Sequence, residues 1–124
     1  MRFLVLRAYF KLIAFDFADK QSNFNVLYRK VKHYTVATES IGPDAVQRVC
    51  TAMDMACIWY RKEVLCLQRS AATACLLKQC GVNAEMVIGT QQLPFRSHAW
   101  VEVEGTVVSD KPYMREMYAV VDRC

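Results

Sequence analysis

The hydrophobic period of this chain changes once, and that change limits what it can fold into. Up to Gly81 the apolar residues recur at helical spacing. Beyond Gly81 the pattern becomes β-like. It alternates most strictly in Ser97-His98-Ala99-Trp100-Val101-Glu102-Val103. There Ala99, Val101 and Val103 share one face, and His98, Trp100 and Glu102 share the other. Helices first and an antiparallel meander after them imply an α+β domain.

The 124 residues suffice for one domain and leave no room for a second core. Residues 1–42 read as an N-terminal helical region and 43–124 as the core. A helix is expected over 3–17, with a broad apolar face interrupted by Arg7, Lys11 and Asp16. A second, basic helix over 24–34 carries Arg29, Lys30 and Lys32. Gly42-Pro43-Asp44 is a helix-start signal, so a third helix is placed at about 43–60. The segment Cys66 to Cys80 is helical, and Gly81 stops it. Strands follow at 84–89 and 97–103, separated by a Gln91-Gln92-Leu93-Pro94 loop. Glu104-Gly105 is a turn signal, 106–109 is β-rich, and a last short strand is expected near 118–121.

The chain is 54% hydrophobic and 23% charged, which excludes a disordered protein. Its net charge of +4 is too mild to argue for nucleic acid. The first 33 residues carry a balance of +5 and the other 91 a balance of −1. The basic N-terminal helices therefore offer a solvated face, a docking surface for an acidic partner, or a face for membrane association. No apolar run reaches the ~18–20 residues that span a bilayer. Arg7 and Lys11 break the N-terminal apolar run and no small-x-small cleavage site follows, so a cytoplasmic protein is expected. Six cysteines without a C-x-x-C pair imply neither a disulfide framework nor a structural zinc site. Most of them read as small buried hydrophobes, Cys50 beside Val49 among them. No cofactor or metal is implied.

Three residues stand out chemically. Cys66 opens a helix, where the dipole and free N–H groups favour the thiolate and can stabilise an oxyanion. His98 opens the alternating strand, whereas His33, at the end of the basic helix, needs only a surface role. Asp110 follows a short hairpin connection whose length decides whether it can meet His98. A two-residue turn at Glu104-Gly105 sets His98 opposite Lys111. A three-residue loop, Val103-Glu104-Gly105, sets it opposite Asp110, with Gly105 supplying the left-handed residue of a G1 bulge. The three-residue loop, or an equivalent bulge nearby, is the expectation. Cys66, His98 and Asp110 would then be nucleophile, base and orienter.

The blocks Cys66-Leu67-Gln68-Arg69-Ser70, Val87-Ile88-Gly89, His98-Ala99-Trp100-Val101-Glu102-Val103-Glu104-Gly105 and Val107-Val108-Ser109-Asp110 resemble one family. It is the transglutaminase-like leader peptidases of lasso-peptide maturation, and the match covers roughly residues 45–110. The resemblance implies a cytoplasmic cysteine protease with a transglutaminase/papain-like core. Such an enzyme cuts the leader from a ribosomal lasso precursor peptide before a separate ATP-dependent cyclase closes the ring. Some members carry a fused leader-recognition domain. This chain looks like the split form, which implies a separate leader-recognition protein. Carried over, Cys66 attacks the scissile carbonyl, His98 activates it and protonates the leaving amine, and Asp110 fixes the imidazole tautomer. The Cys66 backbone N–H is the expected oxyanion donor, with a second donor from a side chain several residues ahead. Trp59 and Tyr60 are positional candidates for that second donor; Arg69, Trp100 and Trp59 are candidate substrate contacts, and the loop Gln91 to Arg96 is a candidate groove lining. The chain departs from the pattern at Gln68, where many relatives have Pro, and before residue 45, where little matches. Two other readings share the same residues: acyl transfer to an amine, as in transglutaminases, and a catalytically silent binding module of the same fold.

Overall fold

The computed structural model describes the backbone of residues 2–21, 24–37, 44–60, 66–92, 95–108 and 114–124, and their side chains except at 2, 16–21, 24–27, 66, 95 and 115. Five helices and four strands lie within these residues: α1 Arg2–Gln21, α2 Phe24–Lys32, α3 Ala45–Trp59, α4 Cys66–Gln79, β1 Ala84–Gln92, β2 Phe95–Val103, β3 Thr106–Val107, α5 Met114–Met117 and β4 Ala119–Arg123. The architecture is the expected α+β. No described helix is long and apolar enough to cross a membrane.

Helix α4 is the centre of the fold. Every residue from Ser70 to Lys78 is buried, so this helix is covered all round. Its small Ala71, Ala72 and Ala74 let neighbouring elements approach closely, while Leu76 and Leu77 fill the space between them. Against it pack Leu4, Ala8, Leu12 and Phe15 of α1 and Val49, Ala52, Met53 and Ala56 of α3. The buried Lys78 satisfies its ammonium by donating from Nζ to the Val31 carbonyl at the end of α2, 2.7 Å away. Gly81 stops α4 as expected. At φ 86° it closes a Schellman motif, with Gly81 N–H donating to Lys78 O at 3.1 Å and Val82 N–H to Leu77 O at 2.9 Å.

The strand order is β3-β2-β1-β4, all antiparallel. Strands β1 to β3 form the expected meander, but β4 does not continue it. It returns along the far edge beside β1, where the last backbone donors and acceptors of the chain find partners: Met86 and Cys124 exchange hydrogen bonds of 3.4 and 2.9 Å. Tyr28 of α2 clasps the same strand, its hydroxyl donating to Asp122 Oδ1 at 2.9 Å. That carboxylate holds the phenol above its ordinary pKa.

The β1–β2 hairpin is longer than the alternation suggests. Gln91 pairs with Arg96 and Gln92 with Phe95. These residues belong to the ladder and not to the expected loop from Gln91 to Arg96, of which Leu93-Pro94 lie outside the described residues. The second connection also departs from expectation. Val103 pairs with Thr106 and Glu102 with Val107, which leaves a two-residue turn with Glu104 at φ 51° and Gly105 at φ 78°. Both turn residues are left-handed, the signature of a type I′ hairpin, whose backbone twist matches that of the flanking strands.

Candidate active site

The two faces of β2 meet different surroundings. Ala99, Val101 and Val103 face the helical layer, with Val101 in the main core. His98, Trp100 and Glu102 lie on the opposite face, as alternation requires. There Trp100 and Val87 pack with Met114, flanked by Val107 and Tyr118, in a second small core. His98 is half-buried, stacked on Trp100 at 6.2 Å and 27° and on Tyr118 at 5.5 Å and 26°.

Cys66 is the first residue of α4, and no acidic residue occupies the first turn of that helix. A carboxylate there would compete for the N-terminal N–H groups. The side chain of Cys66 and the whole of Asp110 lie outside the described residues. What the structure does give is the joint between their supports. One turn into α4, the buried Ser70 hydroxyl donates to the Ala99 carbonyl at 2.9 Å, next to His98. The bond fixes the first turn of α4 to the middle of β2, at the residue after His98, whose own side chain lies on the other face of the strand. Gln68, also in the first turn, is buried and donates from Nε2 to the Leu12 carbonyl of α1 at 2.9 Å. The N-terminus of α4 is thus braced on the sheet from one side and on α1 from the other.

The hairpin register bears on Asp110. Val108 N–H still donates to the Val101 carbonyl at 3.0 Å, which continues the two-residue register. Extended without interruption, that register pairs His98 with Lys111. An offset of one residue beyond Val108 is needed to bring Asp110 to the face of His98.

The candidate substrate contacts separate in space. Trp59, at the end of α3, is 75% exposed. Arg69 is half-buried and forms an ion pair with Asp54, bridging α4 to α3, and its Nε is buried without a hydrogen-bond partner among the described residues. Trp100 is 0% exposed, with its indole N–H donating to Glu102 Oε2 at 2.8 Å. It contributes to any cleft through His98 rather than through a surface of its own. Tyr60 packs on Tyr9, their ring centroids 5.4 Å apart.

Other thiols are held away from reactivity. Cys50, Cys57, Cys75, Cys80 and Cys124 are all free. Burial raises the thiols of Cys50 and Cys57, with Arg69 opposing the shift at Cys50, and pushes Cys75 and Cys124 up to about 11. Cys50 donates to the Val108 carbonyl at 3.4 Å instead. Tyr118, Ser70 and Gly89 were not legible as site residues. Ser70 belongs to the Cys-Leu-x-Arg-Ser block, but nothing in the sequence near Tyr118 announces its ring against His98.

The family model of the transglutaminase-like superfamily matches residues 12–123. The microcin J25-processing protein McjB of Escherichia coli is 43% identical over 56 residues, which is 45% of this chain and 27% of the length of that relative. No solved structure matches the chain. With the match running through all of α3, α4 and the sheet, this chain belongs to the transglutaminase-like superfamily.

Proposed function

We propose that the chain is a cysteine peptidase that removes the leader from a ribosomally made lasso precursor peptide. The supporting observation is the joint described above: a cysteine opening a helix, with no acid in its first turn, fastened through Ser70 to the residue beside His98. The partial likeness to a microcin-processing protein supports the substrate class.

In this reading the Cys66 thiolate attacks the scissile carbonyl carbon and forms a tetrahedral oxyanion against the N-terminus of α4. His98, having taken the thiol proton, gives it to the leaving amine as the C–N bond breaks. A water deprotonated by His98 then hydrolyses the thioester and frees the thiol. Asp110 orients the imidazole, a role that requires the register to shift by one residue after Val108. The partners are the leader region of the precursor, a separate leader-recognition protein and an ATP-dependent cyclase acting afterwards in the cytoplasm. A leader held by that partner raises the local substrate concentration, so activity is weak alone and higher in its presence.

The test is intact-mass analysis of a lasso precursor incubated with this protein and a leader-binding protein. A discrete leader fragment that disappears with Cys66→Ala supports the reading. Uncleaved precursor with folded components overturns it and favours acyl transfer or a binding module.

A further inference from the structure

We propose that Tyr118 is a positioning residue for His98, and that it acts as one wall of an aromatic seat closed by Trp100 and made possible by Gly89. This rests on the reading of His98 as the base.

The observations are geometric. His98, Trp100 and Tyr118 are mutual neighbours: the two stacks on His98 are joined by a Trp100–Tyr118 contact at 6.1 Å and 44°. The three centroids form a near-equilateral triangle, so both rings back one side of the imidazole; such contacts restrict its tilt while leaving its nitrogens to hydrogen bonding and proton transfer.

Each wall is itself held. The Trp100 indole is tied to Glu102, a carboxylate 2% exposed, whose other oxygen accepts from Arg123 Nη1 at 3.0 Å. Arg123 and Tyr118 come from the two ends of the β4 segment, so the last seven residues of the chain hold the base from the far side of β1.

Gly89 supplies the space. It is the cross-strand partner of His98. A Cβ built on it would lie 2.7 and 2.9 Å from the Trp100 ring and 2.8 Å from Tyr118 Cβ. The β1–β4 register shifts by one residue at this point, between Ile88 and Gly89. Such a bulge re-aims the strand that follows or precedes it, here the end of β4 next to Tyr118.

The experiment uses the full chain and its two histidines. His33 is exposed and serves as an internal reference for the imidazole proton signals of His98. In the native protein the His98 signals are displaced from those of His33 by the two aromatic rings. Tyr118→Leu is expected to move them toward the His33 position and to lower kcat for peptide cleavage roughly 10- to 100-fold with little change in KM. Tyr118→Phe, which keeps the ring, restores both. Gly89→Ala keeps every chemical group but crowds the rings, and is expected to displace the His98 signals as well. Unchanged His98 signals in a folded Tyr118→Leu or Gly89→Ala protein overturn the seat. The spectra read the stack without any substrate. A His98→Asn protein that still cleaves overturns the assignment of the base instead.

Discussion

Ser70 and Ala99 join the two halves of the candidate site: a buried hydroxyl on α4 donates at 2.9 Å to a backbone carbonyl on β2. The bond lies one turn after Cys66 and one residue after His98. Replacing Ser70 by Ala removes a buried donor from a buried carbonyl, which costs about 1–2 kcal/mol of stability. The expected result is a lower urea midpoint with an unchanged slope. Slower alkylation of Cys66 by iodoacetamide, read by peptide mass, should accompany it. A stable Ser70→Ala protein with unaltered Cys66 reactivity would show that the joint does not position the nucleophile.

Gln68 makes the corresponding joint to α1. In the sequence it is merely a departure from the proline of many relatives, with consequences confined to the first turn of a helix. In the structure its amide reaches the Leu12 carbonyl at 2.9 Å from a buried position. Gln68→Ala is expected to lose about 1–2 kcal/mol, measured by chemical denaturation. Gln68→Glu should lose more, because an ionised carboxylate would face a carbonyl oxygen out of water.

The buried thiols give the fold an alkaline limit. Burial pushes Cys75 up to about 11 from the ordinary 9.0, and Cys124 equally. Below pH 9 the folded and unfolded chains both keep these protons. Between pH 9 and 11 the unfolded chain releases them while the folded chain does not, so stability falls as pH rises through that window. Two units at the fully buried Cys75 correspond to about 2–3 kcal/mol, and Cys124, partly open to water, adds less. Cys75→Ala should flatten the decline of the denaturation midpoint between pH 9 and 11. An equally steep decline in that variant would assign the limit to other groups.

The parts of this fold that local chemistry dictates were legible in the sequence. Alternation in β2 assigns His98, Trp100 and Glu102 to one face, and Gly81 marks the end of α4 through its left-handed geometry. What long-range pairing decides was not legible. The order of strands put β4 beside β1, which no local pattern encodes, and with it came Tyr118 and Arg123 against the His98 face. The reach of β1 was also hidden, because Gln91 and Gln92 are polar and gain their strand conformation only from Arg96 and Phe95 across the ladder.

In the hairpin after β2, the three-residue loop that would align His98 with Asp110 gives way to a two-residue turn. Glu104 and Gly105 are both left-handed, at φ 51° and 78°. Glutamate disguises the turn, because asparagine, aspartate or glycine is the usual first residue of a type I′ pair. In that conformation a Cβ crowds the following carbonyl oxygen, a strain that Gly avoids and that Asn offsets by hydrogen-bonding its short amide to the nearby backbone. Glu104→Asn is therefore expected to stabilise the protein by about 0.5–1 kcal/mol, with the larger share of the effect in a slower unfolding rate if the hairpin forms late. Glu104→Pro should destabilise it strongly, because proline cannot adopt a positive φ. A Glu104→Asn variant that is less stable than the parent would show that the left-handed Glu104 carries no such strain.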